Sequence, residues 1–244
     1  MVAIILAGGK GTRLKPLTIT VPKPLLPLGQ VPIVEVVIRQ LAAAGITRIV
    51  LTLGPLAHLF TASIGDGSRW GVSIEYCVEE EPLGTAGPLR LVKDLEKEFL
   101  VMNGDLLTTI DYRELIETHR KREAVGTIAV SCREVQVDYG VVVPTGDGLL
   151  QEYREKPSIK YEVSMGINVL SHQCLGFIPP RQKFDMPDLM MAMKRAGKRV
   201  VCYRTDCYWQ DIGRLDDYQR ASLDFEQDPS RFLPDGGAKR CGPA

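Results

Sequence analysis

Short aliphatic runs alternate with amphipathic stretches through the first half of the chain. Residues 2–7 (VAIILA) are continuous and aliphatic and stop at glycine, the pattern of a strand buried on both faces. Residues 33–44 (IVEVVIRQLAAA) set apolar side chains at helical spacing and stop at Gly45, a C-terminal helix signal. A second strand is predicted over 48–53, a helix over 56–64 and an alternating strand over 72–78. Residues 85–95 read as a helix with Pro88 in its first turn. Residues 99–105 predict a buried strand ending in a turn, 112–122 an amphipathic helix and 125–131 another strand. Such alternation predicts an α/β fold, with a mostly parallel sheet covered by helices on both faces.

The second half changes character. Residues 139–157 predict a hairpin turning at Thr145-Gly146-Asp147-Gly148, and 163–170 a further strand. Helices are expected over 187–196 and 214–226, with a strand over 199–203 between them. The last 16 residues hold three prolines and three glycines and are expected to fray. No repeat of 20–50 residues appears, so no solenoid is expected.

Length and charge narrow the class. At roughly 150 residues per domain, 244 residues make one large domain or a core with a small appendage. Lys+Arg and Asp+Glu are both 30, so the net charge is zero. That argues against nucleic acid or an anionic membrane as partner, and any phosphate must be met by a local cluster. The six cysteines (77, 132, 174, 202, 207, 241) form no CxxC pair, and His58, His119 and His172 lie far apart. Scattered reduced thiols, no signal-peptide pattern and no apolar run near the ~18 residues of a membrane span predict a cytoplasmic protein.

Five segments carry candidate chemistry. LAGGKGTRLKPLT (6–18) opens at the end of the first strand, where Gly8, Gly9 and Gly11 let backbone N–H groups approach a phosphate and Lys10 and Arg13 add charge. It matches neither GxxxxGK[ST] nor GxGxxG, and a plain tight turn is the alternative. Lys23, between Pro22 and Pro24, is a stiffly mounted ammonium suited to a departing polyphosphate, or an ordinary solvated lysine on a connector. Asp105, ending a buried strand, and Asp211, between Trp209 and Gly213, suit Mg²⁺ ligation beside phosphate oxygens; each alone could cap a turn. Glu155 and Lys156, stiffened by Pro157, could meet sugar hydroxyls and a phosphate, or form a surface ion pair.

In this order and spacing, LAGGxGTRLxPLT followed by PKPLLPLG resembles the sugar-1-phosphate nucleotidyltransferase family, over roughly residues 1–226. The resemblance implies a Rossmann-like mixed sheet with a small sugar-side β subregion and no C-terminal β-helix. It implies one domain over 1–228, nucleotide-binding to about 135 and sugar-binding from about 136, with 229–244 a flexible tail. The implied reaction condenses a nucleoside triphosphate with a sugar 1-phosphate, using Mg²⁺. The implied partners are those two small substrates, with no nucleic acid and no membrane, and a homo-oligomer is left open.

Residue by residue, the resemblance assigns Arg13 and Lys23 to catalysis and Asp105 and Asp211 to the metal. It places Leu6, Ala7, Gly8, Gly9, Gly11, Thr12, Glu79, Pro82, Gly84, Thr85, Asn103 and Gly104 around the nucleotide. Gly140, Glu155, Lys156, Gly166 and Asn168 fall to the sugar phosphate. YCVEEEPLGTAGPL (76–89) looks like the guanylyltransferases that make GDP-mannose, since Glu79 could accept from guanine N1–H and the 2-amino group. FDMPDLMMAM (184–193) and QDIGRLDDYQRA (210–221) look like the short branch that includes mannose- and heptose-1-phosphate guanylyltransferases. The same reaction with UTP, CTP or dTTP is the first alternative, and an inactive nucleotide-sugar-binding relative the second. Val163-Ser164-Met165-Gly166 stands where the family usually reads INAG, and LGPLAHLF (53–60) replaces a loop usually bearing Asn and Tyr.

Overall fold

The computed structural model describes residues 1–9 and 11–234. The first strand, β1 (Val2–Leu6), packs Ala3 and Ile5 on one face and Val2 and Ile4 on the other, so it is apolar without alternation. A clip of β2 (Pro27–Leu28) and β3 (Val31–Pro32) leads into α1 (Ile33–Ala43). Next come β4 (Arg48–Leu53), α2 (Ala57–Ile64), β5 (Ser73–Val78), β6 (Glu98–Asn103) and the short β7 (Leu106–Thr108). Asp111 caps α3 (Tyr112–Lys121) by accepting from the N–H groups of Arg113 and Glu114. Two long strands follow, β8 (Gly126–Gln136) and, after the ribbon β9 (Val141–Pro144) and β10 (Leu150–Arg154), β11 (Ser158–Ser171). The remaining elements are α4 (Met186–Arg195), β12 (Val200–Arg204), β13 (Trp209–Asp211) and α5 (Leu215–Gln227).

Seven strands form one sheet in the order β12-β8-β11-β6-β1-β4-β5. Only β11 runs against its neighbours; the other adjacent pairs are parallel, giving the expected mostly parallel mixed sheet. One face is covered by Val37, Ile38 and Leu41 of α1, Phe60 of α2 and Leu115 of α3. The other is covered by Leu189, Met190 and Met193 of α4 and by Leu89. A third cluster gathers Leu14, Leu28, Ile33, Leu107, Ile212, Phe225 and Phe232. It ties the loops after β1 to the β7–β13 pair and α5, and so underpins the site. No β-helix coil occurs among the described residues, and no helix there is long and apolar enough to cross a membrane.

Three expectations need correction. The helix expected over 85–95 is only a 3-10 turn, Gly87–Arg90, and the N–H groups of Ala86 and Gly87 that lead into it both bond the Phe184 carbonyl. The strands expected over 125–131 and 163–170 run on as β8 and β11, pairing with each other out to Gln136 and Ser158. The frayed tail does not begin at 229: a 3-10 turn spans Pro229–Arg231, and Phe232 is 1% exposed, stacked on Phe225 and edge-on to Tyr208. Residues 235–244 of the expected tail lie outside the described residues.

Candidate active site

A cavity of about 620 Å³ opens at the carboxyl ends of β1, β4 and β6, the edge where open α/β sheets bind ligands. Leu6, Ala7, Gly8, Gly9, Gly11, Thr12 and Arg13 line one side. The loop is held by its own bonds: the Gly11 carbonyl accepts from Leu14 N–H at 3.0 Å and from Thr18 Oγ1 at 2.7 Å. Leu14 is sunk in the third core cluster, which anchors the turn beneath Arg13. Lys10 lies outside the described residues.

Lys23 is not a solvated lysine. It starts a 3-10 turn, Lys23–Leu25, between Pro22 and Pro24, and its Nζ lies 2.5 Å from Asp105 Oδ2 with only 8% of its side chain exposed. Asp211 is brought to the same place by three residues of ladder: β13 runs antiparallel to β7 with Asp211 opposite Leu106, and Ile212 N–H bonds the Asp105 carbonyl. Burial holds the Asp211 carboxyl above its ordinary value and the charge of Asp105 adds to this, while Lys23 and Arg13 pull it back. Asp217 stands nearby but is committed, accepting from Gln210 Nε2 and from Arg214 N–H. The Lys23 ammonium on Asp105 is a stand-in cation, and two carboxylates with room for phosphate oxygens and water fit a hard divalent ion such as Mg²⁺. Among the described residues no group of three or more His, Cys, Asp or Glu could hold a metal. Phosphate oxygens and water would have to complete the shell.

The other end of the cavity is walled by Glu79, Pro82, Gly84 and Thr85. Glu79 Oε2 accepts from Leu83 N–H at 2.9 Å, while Oε1 lies beside Gly8, 2.9 Å from where a β-carbon there would sit. Burial raises the Glu79 carboxyl and the Leu83 N–H partly offsets that rise. Such a carboxylate can accept from paired N–H donors on a ligand.

The sugar-side residues are placed less uniformly. Gly166, at φ +72°, sits against Asn103: a β-carbon there would lie 2.6 Å from Asn103 Nδ2. Asn103 itself lines the cavity. Asn168 and Gly104 do not line it; both are buried, Asn168 inside the sheet between β6 and β8 and Gly104 behind Leu6, whose carbonyl takes its N–H. Gly140, Glu155 and Lys156 also lie off the cavity wall, around the β9–β10 ribbon. A β-carbon at Gly140 would collide with the Tyr153 hydroxyl, which donates to Glu155 Oε2 at 3.3 Å.

Several cavity residues escaped the reading from sequence. Thr52, Gly54 and Pro55 from the end of β4 and Gly213 after β13 all line the wall. Gly54 and Pro55 fall in the 53–60 segment and Gly213 stands beside Asp211, yet the local pattern gives none of the four a role; the sheet order brings Thr52, Gly54 and Pro55 to the wall by setting β4 beside β1.

Comparison with known proteins agrees with this geometry. The profile of the nucleotidyl transferase family matches residues 2–228. A mannose-1-phosphate guanyltransferase of Schizosaccharomyces pombe is 36% identical over 227 residues, covering 89% of this chain and 62% of that protein. A UTP–glucose-1-phosphate uridylyltransferase of Synechocystis is 32% identical over 241 residues, covering 91% and 62%. The chain thus spans about three fifths of the length of these relatives. Among solved structures, a Bacillus anthracis protein assigned as a glucose-1-phosphate thymidylyltransferase, in complex with sucrose, superposes with a TM-score of 0.73 at 26% identity, covering 91% of this chain and 94% of that one. Fold, loop and profile together establish that the chain belongs to the nucleotidyl transferase family.

Proposed function

We propose that the chain transfers a nucleoside monophosphate from a nucleoside triphosphate to a sugar 1-phosphate, with GTP and a mannose or heptose 1-phosphate as substrates. The observation that carries this reading is the meeting in one cavity of the glycine-rich loop, Arg13, the Lys23–Asp105 ion pair and the Glu79 wall. A phosphate oxygen of the sugar 1-phosphate attacks the α-phosphorus in line, and the bond to the β-phosphate oxygen breaks as pyrophosphate leaves. The N–H groups of Gly8, Gly9 and Gly11 and the Arg13 guanidinium hold the β- and γ-phosphates. Lys23, mounted between prolines, sets its ammonium where negative charge gathers, so the chemistry is positioning and electrostatics. Mg²⁺ held by Asp105 and Asp211 would supply further charge neutralisation.

Glu79 accepts from guanine N1–H and the 2-amino group, which favours GTP. Glu155 and Lys156 take the sugar hydroxyls and the sugar phosphate, and the Gly166 backbone lines the sugar side beside Asn103. We place the reaction in the cytoplasm, in keeping with five unpaired cysteines among the described residues. UTP with glucose 1-phosphate is the second reading, favoured by the cyanobacterial relative.

The test is pyrophosphate release from each of four ribonucleoside triphosphates and dTTP against a panel of sugar 1-phosphates, with Mg²⁺. Strong release from GTP with mannose or heptose 1-phosphate is the expected result. Strong release with another base keeps the reaction and removes the role given to Glu79. No release, with nucleotide-sugar binding seen by calorimetry, would replace the enzyme with a non-catalytic binding relative.

A further inference from the structure

The segment that walls the base end of the cavity is anchored far from the strand it follows. Leu83 O accepts from Phe184 N–H at 2.9 Å, and Phe184 O accepts from the N–H groups of Ala86 and Gly87 at 2.9 and 3.0 Å. Among these backbone bonds sits one charged side chain. Asp185 Oδ1 accepts from Thr85 N–H at 3.0 Å and lies 3.4 Å from Thr85 Oγ1, which in turn accepts from Met186 N–H at 2.7 Å. Lys183 approaches only Asp185 Oδ2, at 4.0 Å on the exposed side. Gly84, at φ +81°, permits the contact: a β-carbon there would lie 2.6 Å from Asp185 Oδ1 and 2.7 Å from Phe184 O.

These bonds amount to an exchange. Asp185 stands at the N-cap of α4, where an aspartate ordinarily accepts from its own helix's N–H groups, yet it makes no such bond. The Thr85 hydroxyl, from the loop, serves the first N–H of the helix instead, and Asp185 turns to hold the loop. Thr85 lines the cavity and Asp185 does not. Glu79 is tied to the same loop through Leu83 N–H, so a displaced loop would carry the base-facing carboxylate with it.

We infer that Asp185 is a positioning residue for nucleotide binding, holding the 79–85 loop through Thr85 in the shape that receives the nucleobase. The inference rests on the proposed reaction, in which the nucleotide fills this cavity. It predicts a separation of kinetic constants: a group that shapes the base wall affects nucleotide binding equally in ground and transition states.

The experiment uses the full chain, with GTP as probe and steady-state pyrophosphate release as readout. Asp185→Ala should raise KM for GTP about tenfold, leaving kcat and KM for the sugar 1-phosphate within about twofold. Asp185→Asn keeps a carbonyl acceptor and should restore KM to within about threefold of the parent. Thr85→Val removes only the hydroxyl's share of the link, because the residue 85 N–H still donates to Asp185, so it should raise KM for GTP by less than Asp185→Ala does, and the two changes together should be less than additive. A folded Asp185→Ala protein with unchanged KM for GTP overturns the inference. So does a common fall in kcat with a rise in both KM values, the mark of a merely structural role. If Asp185→Ala does not fold, Asp185→Ser keeps an N-cap hydroxyl for α4 but is too short to hold Thr85 N–H, and an unchanged KM for GTP in that variant overturns it equally. The parent reaction fails separately, if the wild-type chain releases no pyrophosphate from any substrate pair. Calorimetry of GTP binding then decides: about tenfold weaker binding by Asp185→Ala upholds the role, while equal binding, or none by the wild type, removes it.

Discussion

Replacing Lys23 by alanine tests the ion pair at the centre of the site in two independent ways. Its ammonium is 2.5 Å from Asp105 Oδ2, with 8% and 23% of the two side chains exposed. At an effective dielectric of about 20 the gross attraction is about 7 kcal/mol, most of it offset by desolvation of the two ions. Removing one partner of a buried pair costs about 3–5 kcal/mol, and the partial exposure of Asp105 puts this case at about 3. In a chain of this size that lowers the melting temperature by about 6–12 °C.

The substitution also leaves Asp105 and Asp211 without the ammonium that separates their charges. Millimolar Mg²⁺ should therefore raise the melting temperature of Lys23→Ala more than that of the wild type. In the reaction, loss of a preorganised charge at the leaving pyrophosphate should lower kcat by about 10²–10³. KM for the nucleotide should move by less than about threefold. Pyrophosphate release well below the melting temperature of the variant separates the two effects. If kcat stays within about threefold while KM for nucleotide rises tenfold, Lys23 binds the ground state only and the transition-state role is wrong.

Other expectations follow from the same geometry. Asp211→Asn should abolish metal-dependent turnover yet stabilise the free protein at pH 7. The wild-type carboxyl is raised above 3.8, so it disfavours the fold increasingly as pH rises through that window, and the gain should vanish near pH 4 in melting curves. Because the Glu79 carboxyl is raised above 4.5, KM for GTP should begin to climb at a higher pH on acidification than an ordinary glutamate would give. Glu79→Gln should weaken GTP binding about tenfold or more and flatten the Glu79-dependent part of that pH profile. Gly166→Ala puts a β-carbon 2.6 Å from Asn103 Nδ2 at a left-handed φ, so activity and melting temperature should both fall, with stability partly recovered by adding Asn103→Ala. Phe232→Ala should cost about 3–5 kcal/mol by chemical denaturation, and removal of everything after residue 228 at least as much. No change in either would return Phe232 to the tail.

The central strands are legible because burial on both faces leaves a run such as VAIIL no polar positions to confuse it. The helix expected over 85–95 misleads because Leu89, Val92 and Leu95 keep helical spacing while packing on the sheet as turns. The tie of the Ala86 and Gly87 N–H groups to the Phe184 carbonyl is a tertiary contact that no local reading can supply. Residues whose chemistry is carried by type and neighbours, namely Arg13, Lys23, Glu79 and Asp105, are found at the cavity where their motifs place them. Asp211 is legible as a partner of Asp105 only through the family resemblance, because a three-residue strand is too short to show the period that would place it. Asp185 carries no assignment in the sequence, and only the tertiary contact reveals that it serves the loop. For Glu155 and Lys156 the motif is clear, whereas the position of the ribbon that carries them depends on strand lengths that alternation underestimates.

Both clamps on the site come from late in the chain, and this sets when the site becomes whole during synthesis. A ribosome releases the phosphate loop, the base loop and Asp105 first, and those segments can begin to fold as they emerge. Asp185, which holds the base loop, and Asp211, which faces Asp105, arrive later; at usual elongation rates about 5–20 s separate Asp105 from Asp211. Through that interval the nascent chain carries a partial cavity, with neither the 79–85 loop anchored nor the carboxylate opposite Asp105 in place.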